Sequence, residues 1–382
     1  MPQTLNDVTP SGDTAGALSV AVEVSTRSWV VGISIPGAPN TARIHTLGAG
    51  DTAGLIARIR KAQDMTTDRI LLTDEVGTEG FWLARWRHQE APDIAIVMCD
   101  PASLEVVRRA QVAKTDPIDA RRRVRALVAW DRGEAGALAR VRIPTPDEED
   151  AKRLMRHRER LVRTRVRLHN TIRALLRLHG ITDLAPSAAD FDARLPHLRT
   201  PFGKPLPAGI RWEIACLRDP RVVIVEQRAA IEDAKAERVA PSTRPDGTPS
   251  MEATLVQLVG IGANDATLLG AEVFYRDFRN RRELAAWAGL VAVPWASGTV
   301  AHDQGISKAG NPLVRKHLIP MAWRWVRYQP DSPITQGFHA YCAAHNGRVR
   351  KRAIVAVARK LLIALWRFAM TGLVPTGARL VA

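Results

Sequence analysis

The chain has 382 residues, a length that exceeds one typical domain and predicts two, with a connector between them. Its hydrophobic share of 46% and charged share of 25% are ordinary for a globular protein and exclude extensive disorder beyond the first dozen polar residues. The charge is unusual, because 55 Lys and Arg against 39 Asp and Glu leave a net charge of +16. An arginine-rich excess favours a polyanionic partner such as nucleic acid, although charge alone says nothing about the fold.

The three cysteines lie far apart and form no C-x-x-C pair. This argues against a zinc site or a disulfide framework and is typical of a reducing cytoplasm, where we expect the protein to act. No apolar run is long enough to span a bilayer, since the stretch 353–373 is interrupted by Arg359, Lys360 and Arg367. We interpret that stretch as a buried or amphipathic helix.

The sequence pattern of residues 16–135 predicts an α/β domain, in which three strands are followed by alternating helices and strands. The predicted strands are 18–24, 29–35, 42–47, 69–73 and 94–98, and the predicted helices are 51–62, 81–88, 101–110 and 116–130. This order indicates a mixed sheet covered by helices. It is the order expected of a ribonuclease-H-like domain, although other α/β folds share its parts.

Residues 145–240 predict a helical connector, which begins at an acidic run suited to a helix N-terminus. Four leucines follow at intervals of seven residues, namely Leu154, Leu161, Leu168 and Leu175. This repeat predicts a coiled-coil-like helix, whose partner is either a second helix at 222–239 or another subunit. An insertion at 183–209 is rich in Pro, Ala and Asp, and a linker at 241–249 precedes a mainly helical C-terminal domain, 250–375, with a Gly- and Pro-punctuated section at 289–312.

Four acidic residues stand out by their position in the first domain. Glu23 lies in the first predicted strand, Glu75 follows the fourth, and Asp116 and Asp119 lie one helical turn apart. The first and fourth strands of such a sheet are neighbours, so Glu23 and Glu75 are expected to converge beside the late helix. Carboxylates brought together in this way can bind Mg²⁺. Spacing alone, however, favours solvated charges or helix caps over a metal site.

Several motifs in a fixed order resemble one family. They are Lys114-Thr-Asp-Pro-Ile-Asp-Ala120, Glu75-Val-Gly-Thr-Glu-Gly80 with Phe81-Trp-Leu83, Val259-Gly-Ile-Gly262, Leu284-Ala-Ala-Trp-Ala-Gly-Leu290, Ser297-Gly298, Gly305-Ile-Ser-Lys-Ala-Gly-Asn311 and Val357-Ala-Arg-Lys-Leu361. Together they resemble the insertion-sequence transposases that carry a D-E-D-D carboxylate tetrad, also known as bridge-RNA-guided recombinases. The resemblance runs from about Leu18 to Met370.

The resemblance implies a ribonuclease-H-like first domain, similar to Holliday-junction resolvases, whose four acids bind magnesium. Carried over to this chain, those acids are Glu23, Glu75, Asp116 and Asp119. Glu23 departs from the usual Asp, and its extra methylene shifts the carboxylate by roughly one C–C bond, which matters for an ion with strict geometry. Asp74 precedes Glu75 directly, but Glu75 fits the family pattern better.

The resemblance also implies that Ser297 is a nucleophile, which attacks a DNA phosphate and forms a covalent phosphoserine link that allows strands to be rejoined. Considered on its own, a Ser-Gly turn is usually structural. The family further implies an oligomer, dimer or tetramer, in which the acids of one subunit act on the serine of another. Its partners are donor DNA, target DNA and a guide RNA from the element itself.

Nucleic-acid contacts are predicted at four basic or glycine-rich places along the chain. These candidate residues are Lys114, Arg156, Arg160, Arg163, Arg167, Gly260, Gly262, Ser307, Lys308, Asn311 and Arg315. The Gly260–Gly262 segment resembles a helix-hairpin-helix turn that can hold a phosphate, and it fits an ordinary helix start equally well. An arginine run is often only a solvated face, but here the acids are too few to balance it.

Two other functions remain open from the sequence. The first is a hydrolytic nuclease whose four acids activate water. The second is an inactive nucleic-acid-binding relic of a transposase. A dinucleotide-dependent enzyme is disfavoured, because no G-x-G-x-x-G follows a predicted strand. Our preferred interpretation is a transposase of a mobile insertion sequence.

Overall fold

A computed structural model describes residues 5–12, 16–36, 42–63, 69–75, 81–100, 103–104, 115–134, 136–243, 247–297, 300–345 and 349–381. The chain divides into two compact units, Met1–Thr145 and Pro146–Ala382. The predicted ribonuclease-H-like segment lies in the first unit. The predicted connector and the C-terminal domain both lie in the second.

The first unit is built on a five-stranded sheet in the order β3-β2-β1-β4-β5. Its strands are β1 (Leu18–Val24), β2 (Ser28–Ser34), β3 (Arg43–Gly48), β4 (Ile70–Glu75) and β5 (Ile94–Cys99). Strands β1, β4 and β5 are parallel, whereas β2 is antiparallel to both of its neighbours. The sheet is therefore mixed, and the prediction that the first and fourth strands are neighbours is confirmed.

Helices cover both faces of this sheet. They are α1 (Thr52–Gln63), α2 (Trp82–Glu90) and α3 (Asp116–Asp131). Leu55 and Ile59 of α1 pack with Val20 and Leu72 on one face, where Leu83 of α2 joins the same apolar cluster. Side chains alternate between the two faces along each strand, so the residues of β1 and β4 that do not face α1 lie on the face that α3 covers.

The approach of α3 to the sheet depends on Gly32 in β2. A Cβ atom at this position would lie 3.1 Å from Val124 Cγ2 and 3.4 Å from the carbonyl oxygen of Ala120. A larger residue would therefore push the first turns of α3 away from the strands. This matters because those turns carry the acids of the K-T-D-x-x-D-A motif.

The predicted strands and helices of the first unit are confirmed to within two residues at each end, with one exception. The predicted helix at 101–110 lies almost entirely outside the described residues, since only Ser103 and Leu104 are described there. Lys114 also lies outside them.

The second unit begins with a long antiparallel helix pair. Helix α4 (Pro146–Leu178) packs against α6 (Ala208–Val239), which starts earlier than the predicted 222. Leu161 and Leu168 are buried against Ile224 and Ile231, and Leu154 is partly buried with them. The leucine repeat thus finds its partner within the chain, one of the two alternatives that the sequence left open.

The segment 183–209 is more ordered than a loop. It contains α5 (Phe191–Arg194) and a 3₁₀ turn, Leu195–His197. Phe191 is fully buried in a small apolar cluster with Ile172, Leu176 and Ile214. This cluster closes the end of the α4–α6 pair.

The rest of the second unit is mainly helical around one large core. Its helices are α7 (Met251–Leu255), α8 (Ala263–Leu269), α9 (Arg281–Trp287), α10 (Pro312–Tyr328), α11 (Pro333–Ala344) and α12 (Arg350–Thr371), with a π-helical turn at Gly270–Phe274. Trp325, Leu361 and Leu365 are fully buried in that core. Within the described residues, no helix has the length and apolarity needed to cross a membrane.

The Gly- and Pro-punctuated section holds structure that the sequence did not predict. It folds into an antiparallel hairpin of β6 (Ala292–Ser297) and β7 (Val300–Ile306). Pro294 lies inside β6, where a register shift interrupts the pairing. Proline removes a ladder donor and usually argues against a strand, which explains the omission.

Candidate functional site

Two of the predicted acids meet at the carboxyl ends of neighbouring strands. Strands β1 and β4 run parallel with Val22 opposite Asp74. Because side chains alternate along a strand, Glu23 and Glu75, one residue further on, both point to the other face. Helix α3 covers that face, since its Arg123 reaches both carboxylates.

Arg123 is the centre of this cluster. Its Nη2 donates a hydrogen bond to Glu75 Oε2 at 3.0 Å and also binds Glu23 Oε2, while Nη1 donates to the carbonyl oxygen of Val22 at 2.8 Å. Its Nη1 lies 3.9 Å from Asp74 Oδ1 as well. The Arg123 side chain is only 2% exposed, and burial lowers its pKa to about 10. The guanidinium therefore remains charged at neutral pH and offsets the repulsion between the acids.

Sequence reasoning missed Arg123, which stands at the end of a run of three arginines. A signal was present, because Arg123 lies four residues after Asp119 and so shares its helix face. Arg122, three residues after Asp119, shares that face by the same reasoning. Only the structure distinguishes the two, because Arg122 Nη1 lies 3.3 Å from Asp119 Oδ1 with a side chain that is 25% exposed, whereas Arg123 binds Glu23 and Glu75.

The other two predicted acids occupy the start of α3. Asp116 is exposed, and Asp119 is paired with Arg122. Among the described residues, no group of three or more His, Cys, Asp or Glu side chains is arranged to hold a metal. The four acids thus do not form one ligand group in this conformation. Their donor set consists of oxygen alone and is chemically suited to magnesium, but Arg123 bridges Glu23 and Glu75.

The predicted nucleophile lies in the hairpin. Ser297 is the last residue of β6, and its backbone is paired with that of Val300 at the start of β7. Gly298 and Thr299, which connect the two, lie outside the described residues. Ser297 therefore lies at the connecting end of the hairpin, directly before residues 298–299.

The base of this hairpin is fixed by backbone contacts. The N–H of Ser307 donates to the carbonyl oxygen of Val291 at 2.8 Å, and that of Asn311 donates to Trp287 at 2.9 Å. Gly310 adopts φ +90°, and a Cβ there would overlap the carbonyl oxygen of Trp287. Gly289 adopts φ +68°, and a Cβ there would overlap the carbonyl oxygen of Ala309. Because neither motif glycine carries a Cβ atom, the segments 286–289 and 309–311 pack backbone against backbone below the hairpin. We call this contact the interlock.

A buried acid ties the same region to the long helix. Glu272, in the π-helical turn, is 1% exposed. Its carboxylate accepts hydrogen bonds from Arg156 Nε at 2.6 Å and Arg156 Nη2 at 3.1 Å, and from Asn311 Nδ2 at 2.9 Å. Asn311 also caps α10 by accepting from the N–H of Leu313 at 3.0 Å. The side chains of Arg156 and Asn311, both predicted to contact nucleic acid, thus have internal partners here.

The remaining predicted nucleic-acid residues differ in their surroundings. Arg163 is 72% exposed and pairs with Glu159 at 3.0 Å, and Arg315 lies 3.5 Å from the carbonyl oxygen of Ala288. Four further candidates are exposed, namely Arg160, Arg167, Ser307 and Lys308. The three charged side chains among them form no ion pair with a described residue. Lys308 also adopts φ +54°, an uncommon backbone conformation for a residue with a side chain.

The glycine turn before α8 borders an open cleft of about 520 Å³. Arg158, His317 and Arg324 line this cleft, but the N–H of Gly262 already donates to Asp265 Oδ2 at 3.2 Å. Arg324 forms an ion pair with that same carboxylate. The turn therefore has an anionic partner of its own.

Comparison with known proteins identifies relatives along almost the whole chain. Residues 252–335, which include the hairpin, match the family model "Transposase IS116/IS110/IS902 family". The chain is 40% identical over 375 residues to a putative transposase y4rJ of Sinorhizobium fredii, covering 95% of this chain and 94% of that relative. The chain therefore belongs to the IS116/IS110/IS902 family of transposases.

Two more distant relatives have related descriptions. The transposase for insertion sequence element IS1111A of Coxiella burnetii is 28% identical over 246 residues, covering 62% of this chain and 65% of the relative. A probable family 20 transposase of Pseudomonas aeruginosa is 29% identical over 188 residues, covering 49% of this chain and 54% of the relative.

Proposed function

We propose that this transposase cuts and rejoins DNA through a covalent link to Ser297. The observation that carries the proposal is the position of Ser297 beside the turn of a hairpin whose base is interlocked through Gly289 and Gly310. Ser297 lies at the end of the hairpin opposite to that base, so a DNA phosphate could approach it without exposing the core. Its anchored base limits the positions that it can occupy, which favours attack in one orientation.

The proposed step conserves the phosphodiester bond. The Oγ of Ser297 forms a bond to phosphorus while the bond from phosphorus to a deoxyribose oxygen breaks, and that oxygen takes up a proton to leave as a hydroxyl. The serine proton passes to the carboxylate site of another subunit. Attack by a second deoxyribose hydroxyl on the phosphoserine reverses the step and releases the serine, so strands are exchanged without an external energy source.

The carboxylate site is proposed to comprise Glu23, Glu75, Asp116 and Asp119 in a ribonuclease-H-like domain. The observed sheet order, with β1 beside β4, supports this assignment, as does the convergence of Glu23 and Glu75. These oxygen ligands would hold Mg²⁺, which would stabilise charge on the phosphate oxygens during transfer. The carboxylates themselves orient the ion and accept the proton.

The partners of the reaction are proposed from the family resemblance and the charge. They are donor DNA, target DNA, a guide RNA from the element, and further copies of this chain. The exposed Arg160 and Arg167 of α4 suit phosphate backbones, because each presents a guanidinium without an ion pair to a described residue.

An adduct assay tests the proposal. Purified protein is incubated with Mg²⁺, donor and target DNA, and RNA transcribed from the flanks of the element, and covalent protein–DNA species are measured after denaturation. We expect an adduct with wild type that is lost in Ser297→Ala and in Asp119→Ala. Ser187→Ala, an exposed serine in the insertion, is the matched control and should leave the adduct unchanged.

The assay also separates the rival function. Metal-dependent cutting that leaves no adduct and persists in Ser297→Ala would refute the recombinase and identify a hydrolytic nuclease. Omission of the RNA tests guidance separately, since a guided enzyme should then lose target cutting.

A further inference from the structure

The strongest unexplained feature of the candidate site is a buried arginine among its acids. Arg123 donates to Glu75 at 3.0 Å, binds Glu23, and lies 3.9 Å from Asp74. Three carboxylates from two strands thus surround one guanidinium. Buried groups of this kind are stable only when their charges are matched.

Arg123 is fixed by more than charge. Its Nη1 donates at 2.8 Å to the carbonyl oxygen of Val22, which belongs to the same strand as Glu23. Its side chain is 2% exposed, compared with 37% for Glu75. The position of the guanidinium is therefore set by the backbone of β1 and the packing of α3 as well as by the more exposed carboxylates.

The contacts also give a physical reason for Glu23. A glutamate stands where the resembled family usually has an aspartate, and its longer side chain forms an ion pair with Arg123. Arg123 binds Oε2 of both Glu23 and Glu75 and so bridges them. A divalent cation held by these two carboxylates would have to compete with the guanidinium for their negative charge.

We propose that Arg123 is a built-in cation that bridges Glu23 and Glu75 in place of a divalent metal ion and thereby sets the metal affinity of the site. This inference rests on the proposed metal function of the carboxylates. Arg123 acts as a positioning residue, since it keeps the two acids together when no metal is bound. Divalent ions must compete with its charge for the shared oxygens.

Metal titration tests this role without measuring recombination. Mn²⁺ binding to the full-length protein is followed by calorimetry, and thermal unfolding is recorded with chelator and with Mn²⁺ or Mg²⁺. We expect Arg123→Met to bind Mn²⁺ roughly tenfold or more tightly than wild type, because a positive charge next to the ligands is removed. Its melting temperature should fall in chelator and recover with metal.

Matched variants distinguish this effect from general loss of structure. Arg125→Met removes an exposed arginine of the same helix that has no ion pair to Glu23, Glu75, Asp116 or Asp119 among the described contacts, and it should not gain such affinity. Arg123→Lys keeps the charge and should bind metal no more tightly than wild type. Addition of Glu23→Gln to Arg123→Met removes one of the two charged carboxylates that would hold the metal and should reduce the gain.

The outcomes separate the inference from the proposed function. The role of Arg123 would be overturned if wild type and Arg123→Met bound metal with equal affinity. It would also be overturned if metal did not change the melting temperature of Arg123→Met. Either result leaves the adduct assay on Ser297 to decide the recombinase function independently. If Arg123→Met does not fold, tighter metal binding by Arg123→Lys than by wild type would refute the proposal in the same way.

Discussion

The interlocked glycines below the hairpin give the sharpest stability prediction. Gly310→Ala places a Cβ on a residue with φ +90° and overlaps the carbonyl oxygen of Trp287, while the carbonyl oxygen of Ala286 would lie 3.1 Å away. Left-handed backbone costs a residue with a side chain about 1–2 kcal/mol. Overlap with backbone atoms that cannot rotate away adds about 1–3 kcal/mol. We therefore expect a loss of about 2–5 kcal/mol in the second unit.

A matched glycine separates the two contributions. Gly305 adopts φ +85°, but no described atom lies within 4 Å of a Cβ built there. Gly305→Ala should therefore cost only the backbone part, about 1–2 kcal/mol. Gly337, within α11 (Pro333–Ala344), has no described neighbour within 4 Å of its Cβ and a helical backbone. Gly337→Ala should stabilise by about 0.5–1 kcal/mol.

Urea unfolding and hydrogen exchange measure these effects. The second unit is followed by its own transition, and exchange of backbone amides in residues 284–311 reports the base of the hairpin. We expect faster exchange in this segment for Gly310→Ala than for Gly305→Ala, together with less adduct on Ser297. Equal free-energy losses for the two variants would refute the interlock, because the backbone conformation alone would then explain both.

Three further predictions concern charge and cysteine reactivity. Arg156→Ala should destabilise the second unit by about 1–3 kcal/mol in urea unfolding, since it removes two hydrogen bonds from a buried glutamate of the π-helical turn; a loss below about 0.5 kcal/mol would contradict this. Arg160→Ala and Arg167→Ala should each lower the slope of log affinity against log salt for DNA or RNA by about 1, whereas an unchanged slope would exclude phosphate contacts. Cys216 should be alkylated by iodoacetamide at pH 8 in the native protein, while burial raises the pKa of the Cys99 thiol to about 12 and should protect it until unfolding; native labelling of Cys99 observed by mass spectrometry would contradict this.

Most of the first unit was predictable because its signals are local. Strands such as Leu18–Val24 and Ile94–Cys99 are short apolar runs, and the helices between them show helical periodicity. Glu23 and Glu75 were expected to converge from neighbouring strands, whereas Asp116 and Asp119 lie at a helix start and form no common ligand group with them among the described residues. The role of Arg123 was not predictable from spacing, because it depends on which face of α3 (Asp116–Asp131) meets the sheet, and Gly32 helps to determine that contact.

In the second unit, the sequence predicted where the helices lie more reliably than which segments they pack against. The leucine repeat indicated a packed helix, but only the fold shows that Leu161 and Leu168 face Ile224 and Ile231. The hairpin was missed because Pro294 interrupts β6 and its strands pair irregularly. Glu272 offered an unused signal, since it is a lone charge within the apolar run Leu268-Leu-Gly-Ala-Glu-Val-Phe274.

The arginines of the chain fall into two groups, those paired with acids inside the protein and those that are exposed without an ion pair to a described residue. Some arginines serve acids inside the protein: Arg123 binds Glu23 and Glu75, Arg156 binds Glu272, and Arg324 binds Asp265. An unpaired buried charge is costly, so these arginines are needed for folding whether or not the protein meets nucleic acid. The net charge of +16 therefore overstates the evidence for a polyanionic partner. The exposed arginines of α4 without an ion pair to a described residue are the better indicator, because no buried acid accounts for them.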